Sequence, residues 1–502
     1  MFSMAEGALH RALGRAAERL GDRDAVLAGD DRLSFRTLDE RSNAFARHLA
    51  GLGVGRGDRV AVMLTNRPEF VVTVNAVSKL GASSVLLSPA WKGVEVGHAL
   101  ALTRAAHAVA DDPGTTVLGE QPGVTVLDLD DEAASAAALA HDTAPLDDPG
   151  VGAEDDAVFV FSSGTTGLPK AVRHTHASLA AATRHWVAAL GLGPDDRFQV
   201  ATPPSHILGL LNLLAAAEAG ATVRLHRRFD LDEVLSRIAS ERMTLEMAVA
   251  PIALAMANHP SLEDYDLSSL RYIMWGATPV TPSVAETVTR RSGVRFLPAY
   301  GASEFPVLAC NPVGDPGAWR LDSAGLPPDE VELRVVDIDS RAVLPPGEVG
   351  EIQARGPSVM AGYLPDEANA EGFEDGWYRT GDVGWLEPEG WVHLTDRSKE
   401  MIKVKGFQVV PAEIEAVLHG HPAVVDCAVF GLPDEVAGEV PVAAVQLDPD
   451  HPVADGELED LVASSLASYK RLGHLLVVDA IPRLPSGKVL RRTLRDEWSS
   501  KL

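Results

Sequence analysis

Residues 157–170 read Ala157-Val158-Phe159-Val160-Phe161-Ser162-Ser163-Gly164-Thr165-Thr166-Gly167-Leu168-Pro169-Lys170. The apolar run at 157–161 predicts a buried strand, and it stops where hydroxyls and glycines begin. The loop therefore leaves the carboxyl end of a strand, the place where open α/β sheets hold ligands. Glycines let the backbone come close, while successive N–H groups and the hydroxyls of Ser162, Ser163, Thr165 and Thr166 offer donors to phosphate oxygens. Lys170 adds a compact positive charge. The loop is not a Walker A motif, because the Gly-x-x-x-x-Gly-Lys-Ser/Thr spacing is absent. A bare Ser/Gly turn would be a solvated surface loop; a strand exit, hydroxyls, glycines and a lysine within one short stretch point to phosphate.

Upstream, helix and strand signals alternate. Thr37 with Glu40 predicts a capping box ahead of Leu38, Phe45, Leu49 and Leu52 at helical spacing. Gly53, Gly55 and Gly57 come before the strand Val60–Leu64, so they read as a helix-to-strand turn and not as a dinucleotide loop. Residues 101–150, rich in Ala and Asp, carry no catalytic pattern. From Leu179 to Ala299 the alternation resumes, with Ala221–Leu225 as a strand, the pattern of a parallel, helix-covered sheet. Short strand signals then cluster at 331–336, 350–354 and 391–394 among Pro and Gly, predicting a small β-rich unit. The last hundred residues have apolar segments of their own, Ala428–Phe430 and Pro441–Val445, enough for a separate small domain.

The chain has 502 residues, 46% hydrophobic and 23% charged, which excludes disorder and fibrous classes. Lys+Arg of 44 against Asp+Glu of 71 leaves a net charge of −27, which disfavours nucleic acid or an anionic membrane as partner. An anionic substrate must therefore meet a local positive spot. Cys310 and Cys427 make no metal pattern or disulfide framework, and a reducing cytoplasm is the default. No run of eighteen apolar residues is present to span a membrane, and the start Met1–Gly7 lacks signal-peptide order. Ser500-Lys501-Leu502 matches a peroxisomal address, but three residues match easily by chance, and the expected location is the cytoplasm.

With further motifs in order along nearly the whole chain, the loop at 162–170 resembles the signature of the AMP-forming adenylating superfamily, which holds acyl- and aryl-CoA synthetases, peptide-synthetase adenylation domains and beetle luciferases. One departure is Ala171, where the family usually has Gly. The resemblance implies a large domain over 1–396, built of two helix-covered, mainly parallel sheets plus a small β-barrel. A small mobile α+β domain over 397–502 would follow, with a hinge near 396–400.

The same resemblance assigns roles. ATP or AMP would be held by Ser162, Ser163, Gly164, Thr165, Thr166, Gly167, Lys170, Ala277, Thr278, Tyr300, Gly301, Ser303, Asp382 and Arg397. Tyr300-Gly301-Ala302-Ser303-Glu304 matches an element whose tyrosine packs on adenine, whose hydroxyl meets the α-phosphate and whose glutamate helps hold Mg²⁺, with Thr166 as the second metal residue. In Tyr378-Arg379-Thr380-Gly381-Asp382 the aspartate would accept both ribose hydroxyls, a task suited to two carboxylate oxygens. Asp396-Arg397-Ser398-Lys399-Glu400 matches the hinge, with Lys399 as pivot. Lys403, Lys405 and Gly406 would face the pantetheine of CoA. Pro485-Ser486-Gly487-Lys488 matches the loop whose lysine catalyses adenylation. Of the nine lysines (79, 92, 170, 399, 403, 405, 470, 488, 501), five fall in these motifs, in a chain that otherwise prefers Arg.

Alone, several of these motifs have plainer readings: Thr-Gly-Asp is ordinary turn chemistry, lysines suit a solvated edge strand, and Gly-Lys suits a surface turn. Their ordered company carries the assignment. The acyl pocket by the same likeness comprises His206 at its mouth with Ile207, Leu210, Val249, Ala250, Trp275, Gly276, Ala277, Ala299, Gly301, Pro306 and Val307; for any one of the apolar residues, core is the alternative. No Asp or Glu occurs between His206 and Ala217. An unpaired buried ammonium costs several kcal/mol, so an α-amino acid substrate is disfavoured and a hydrophobic acid is implied.

A carboxylate is a poor acyl donor, since its leaving group would be oxide. Attack on the α-phosphate of ATP gives an acyl adenylate, whose leaving group is AMP, and a thiol then takes the acyl group. Both partners of the first step are anions, so cations placed where charge develops are the remedy. Glu304, Lys170, His206 and Lys488 are the catalytic candidates, and ATP, Mg²⁺ and CoA the implied cofactors. A small carboxylic acid and CoA are the expected partners. An acyl-AMP ligase loading a carrier-protein phosphopantetheine and a silent nucleotide-binding homologue are the alternatives; Lys488, Glu304 and Asp382 are all present, which speaks against silence.

Overall fold

The computed structural model describes residues 7–162, 169–276, 282–397, 400–404, 407–434, 437–483, 489–499 and 501. In it the apolar run at 157–161 lies within the strand Asp156–Ser162, inside a seven-stranded sheet. Ser83–Leu86, Arg59–Met63, His107–Ala110 and Thr125–Asp128 extend that sheet in parallel. Ser83–Leu86 is buried at every position, with no alternation, as expected of a strand covered on both faces.

On its other side the strand doubles back. Asp156–Ser162 pairs antiparallel with Lys170–Thr175, Ser162 opposite Lys170, and Gly362–Leu364 adds the edge. Lys170 thus opens the return strand of a hairpin and not a helix. Ala171, the departure from the family pattern, lies opposite Phe161 and is fully buried, so its methyl fills sheet interior.

Two further sheets follow. Asp24–Ala28, Thr222–Leu225 and Arg197–Val200 are parallel, with Asp31–Ser34 antiparallel at the edge. Glu246–Ala248, Ile273–Trp275 and Phe296–Tyr300 are parallel, with Ala309–Cys310 antiparallel beside them. The two adjoin where the Thr244 N–H donates to the Arg197 carbonyl at 2.8 Å. The helix-covered, mainly parallel sheets expected are therefore present, two of them abutting edge to edge.

The expected capping box at Thr37 and Glu40 is displaced. The helix Phe35–Gly51 starts earlier: Ser34 is extended and its Oγ accepts from the Thr37 N–H at 3.1 Å. Ser34 is therefore the cap and Thr37 the residue capped, which places Leu38, Phe45 and Leu49 in the core.

The β-rich unit is an antiparallel sheet in which Glu332–Val336, Gly350–Arg355 and Trp377–Leu386 pair in order, and Phe373–Glu374 and Val392–Arg397 both join Trp377–Leu386. Between Arg397 and Ile402 the pairing changes sheet. Ile402–Val404, Phe407–Val409, Gly438–Leu447, Val424–Asp434 and His474–Val477 form the last one. Along Val424–Asp434, Cys427 and Val429 enter one core while Ala428 and Phe430 enter another, the period-two signature of a sheet buried on both faces. No described helix is long and apolar enough to cross a membrane.

Candidate active site

Part of the candidate set lies where a parallel strand ends, and part on antiparallel strands. Phe296–Tyr300 ends at Tyr300, and the chain turns tightly: Ala302 N–H donates to Phe305 O at 3.0 Å, and Leu308 N–H to Tyr300 O at 2.8 Å. Gly301 is required by this approach, since a methyl there would lie 2.0 Å from the Pro306 carbonyl oxygen. Two neighbours hold the outgoing backbone. His174 Nε2–H donates to the Ser303 carbonyl at 2.8 Å, and the Met360 N–H donates to the Glu304 carbonyl at 2.8 Å. His174 is fully buried, and desolvation drops its pKa from 6.5 to about 4, so the ring is neutral and its one proton is committed to Ser303.

The Glu304 carboxylate is 8% exposed, and its Oε1 accepts from the Tyr363 hydroxyl at 3.0 Å. Tyr363 stands opposite Val172 on the edge strand Gly362–Leu364, and Lys170 Nζ lies 5.3 Å from its ring centre. Asp382 mirrors this arrangement. Its Oδ2 accepts from the Tyr300 hydroxyl at 2.6 Å, and its N–H donates to Thr380 Oγ1 at 3.0 Å. Opposite it in the ladder stands Arg397. A third phenol, Tyr378, is buried among Glu304, Tyr363, Asp382 and Tyr300; burial first, then Glu304, pushes its pKa well above 10. Tyr363 and Tyr300 donate, and the two carboxylates accept.

His206 caps the helix Ile207–Ala219: its Nδ1 accepts from the Leu208 N–H at 3.2 Å. An accepting Nδ1 puts the neutral ring's proton on Nε2, and burial lowers the pKa to about 4. Protonation would cost the cap, so His206 is a neutral donor and not a cation at physiological pH.

The acyl candidates separate by packing. Ile207, Leu210 and Val307 are buried in the main core, and Val249 and Trp275 in a second one. The Trp275 indole meets Phe296 edge-on at 5.5 Å. His206, Gly276, Ala299, Gly301 and Pro306 keep partial exposure. One carboxyl nearby in sequence, Glu246, is 1% exposed, bonded to Gln199 Nε2 at 2.8 Å and pushed up to about 8 by desolvation.

Ser163, Gly164, Thr165, Thr166, Gly167, Ala277, Thr278, Lys399, Lys405, Gly406 and Lys488 lie outside the described residues, as do the side chains of Ala250, Arg397 and Lys403. Sequence reasoning passed over Tyr363, Tyr378 and His174. Tyr378 lay inside a quoted motif, but the other two gave no sequence signal, because their contacts join strands far apart in the chain.

Among the described residues no group of three or more His, Cys, Asp or Glu could hold a metal ion. A divalent cation here would rest on few protein ligands, with phosphate oxygens and water completing it, which is the Mg²⁺ habit in nucleotide sites. Glu304, a hard and buried carboxylate, fits that donor set.

The AMP-binding enzyme family matches residues 13–364, and the AMP-binding enzyme C-terminal domain matches 413–488. This chain belongs to the AMP-binding enzymes. It is similar to 4-coumarate–CoA ligase 2 of Oryza sativa subsp. japonica, 36% identical over 96% of this chain and 90% of that protein. Among solved structures, the anthranilate CoA ligase AuaEII in complex with anthranoyl-AMP superposes with a TM-score of 0.93 at 26% identity, covering 100% and 99% of the two chains. The o-succinylbenzoate CoA synthetase MenE of Bacillus subtilis, in complex with its acyl adenylate, gives 0.86 at 31% identity over 97% and 98%. The AMP-forming adenylating resemblance read from the motifs therefore holds, and with it the chemistry: ATP-dependent activation of a carboxylic acid to an acyl adenylate, then CoA thioester formation.

Proposed function

We propose that this AMP-binding enzyme ligates a hydrophobic aromatic carboxylic acid lacking an α-amine to coenzyme A. The observation that carries the reading is the lining. Every partly exposed acyl candidate other than His206 is small and uncharged (Gly276, Ala299, Gly301, Pro306). Such a cleft suits a flat ring and offers no partner to an ammonium. The named substrates of the similar proteins, 4-coumarate, anthranilate and o-succinylbenzoate, are aryl acids.

In this reading a carboxylate oxygen of the acid attacks the α-phosphorus of ATP, forming the acyl adenylate and expelling pyrophosphate. The CoA thiol then attacks the acyl carbon, losing its proton, and AMP leaves. Tyr300 and Asp382 take adenine and ribose; the hydroxyl held at Asp382 is ready to be exchanged for a ribose hydroxyl. Glu304, with Thr166, would hold Mg²⁺, which supplies charge neutralisation on the phosphates. Lys170 would neutralise the departing pyrophosphate, and Lys488 the reacting carboxylate. A preorganised cation at such a position contributes on the order of 3 kcal/mol. His206, neutral and fixed by its cap, donates Nε2–H at the acyl side. The domain division at 396/397 and rotation about Lys399, which would exchange Lys488 for the Lys403, Lys405 and Gly406 face between steps, belong to the same proposal.

The test is AMP release from MgATP over a panel of aryl, linear and amino acids, with and without CoA, with products identified by mass. CoA-dependent thioesters of aryl acids are expected. Turnover confined to amino acids or long linear chains would overturn the substrate class, and adenylate accumulating despite CoA would identify a carrier-protein acceptor.

A further inference from the structure

Tyr363 is fixed from every side. Its backbone N–H donates to Asn369 Oδ1 at 2.7 Å, and Asn369 Nδ2 donates back to its carbonyl at 3.3 Å. The strand that carries it is paired to Lys170–Thr175, with Tyr363 opposite Val172. Gly372 packs against the ring edge so closely that a methyl there would lie 2.8 Å from Tyr363 Cε2. The ring is 8% exposed. From this clamped position the side chain touches two charged groups of opposite sign. Its hydroxyl donates to Glu304 Oε1 at 3.0 Å, and its face lies under the Lys170 ammonium, 5.3 Å from the ring centre. A cation within about 6 Å of a phenol ring is attracted to the face, while a carboxylate takes the phenolic proton, so a single tyrosine can serve both.

The next residues along reinforce this. The Met360 N–H holds the Glu304 carbonyl, and the Ala361 N–H holds the Arg173 carbonyl at 2.8 Å. Segment 360–364 thus ties the turn bearing Glu304 to the strand that begins at Lys170. Lys170 and Glu304 are 134 residues apart in sequence, since 304 − 170 = 134, and Tyr363 contacts both of them.

We propose that Tyr363 is a positioning residue for acid activation. Its hydroxyl orients the Glu304 carboxylate so that Oε2 is presented to the metal-bearing phosphates, and its ring face holds the Lys170 ammonium at the rim of the phosphate loop. The inference rests on the adenylating function proposed above. Two variants separate the two tasks: Tyr363→Phe keeps ring, packing and the cation platform and removes only the hydroxyl, whereas Tyr363→Leu removes both.

The measurement is calorimetric binding of ATP by the full-length enzyme, once with Mg²⁺ and once with EDTA, alongside pyrophosphate exchange and thioester formation from supplied acyl adenylate. For Tyr363→Phe, MgATP binding should weaken about ten-fold or more, the worth of one hydrogen bond to a charged acceptor, and metal-free ATP binding less than about two-fold. Tyr363→Leu should weaken both. Pyrophosphate exchange should fall in both variants, and the thioester half-reaction should stay near wild type. Equal weakening with and without Mg²⁺ in Tyr363→Phe, or no weakening in either, would overturn the positioning role, as would a matching loss of the thioester step. Wild-type enzyme that binds MgATP but exchanges pyrophosphate with no acid would sink the functional reading instead, while the binding comparison would still decide the role of Tyr363.

Discussion

Acidification should destabilise this enzyme in part through one residue, His174. The imidazole is fully buried, donates Nε2–H to the Ser303 carbonyl at 2.8 Å, and has Nδ1 3.3 Å from the Ser178 hydroxyl. Desolvation, the first cause, lowers its pKa from 6.5 to about 4. The folded state therefore resists a proton that the unfolded chain accepts. Stability is intact above pH 6.5, falls as pH drops from 6.5 toward about 4, and then levels off. The full difference corresponds to about 3 kcal/mol, and at pH 5 about 2 kcal/mol of it is lost. His10, His176 and His206, each also lowered to about 4, add to the same acid lability, so wild-type melting alone does not isolate His174. The comparison with His174→Gln does, because glutamine can still donate to Ser303 but does not titrate. Thermal unfolding of both proteins at pH 7.5 and pH 5 should show the wild type losing about 2 kcal/mol more than the variant, a few degrees in apparent melting temperature. Parallel pH dependence in the two proteins would refute the reasoning, since every other histidine is common to both.

Gly301→Ala should abolish adenylation, because its methyl would lie 2.0 Å from a backbone carbonyl that cannot move without shifting Ser303 and Glu304; wild-type pyrophosphate exchange in this variant would remove the tight turn from the argument. Asp382→Ala should raise the KM for ATP by about ten-fold or more, because two ribose hydroxyls lose a charged acceptor, and an unchanged KM would take Asp382 out of the ribose site. Lys488→Ala should cut acyl-AMP formation by on the order of a hundred-fold while sparing thioester formation from supplied adenylate. Equal loss of both steps would contradict its proposed role.

The sequence by itself determined a good deal. Covalent order puts hydroxyls, glycines and Lys170 directly after a short, β-branched and aromatic apolar run, which favours a buried strand. Composition and charge set the class, and the ordered motifs set the family, because residues that meet a nucleotide within one loop are also neighbours in the chain. The elements at Val60–Leu64 and Ala221–Leu225 were legible for the same local reason. Tertiary structure alone decided whatever depends on strands meeting. It paired the strands on either side of the phosphate loop antiparallel, with Ser162 opposite Lys170, and moved the helix cap from Thr37 to Ser34. It also packed Trp275 and Val249 together in a second core. The tyrosine–carboxylate pairs belong here too. Tyr300 meets Asp382 and Tyr363 meets Glu304 through sheet register and long crossovers, and neither is written into local periodicity. Burial then gives these groups their chemistry: with so little water, a phenol beside a carboxylate donates, and His174 stays neutral.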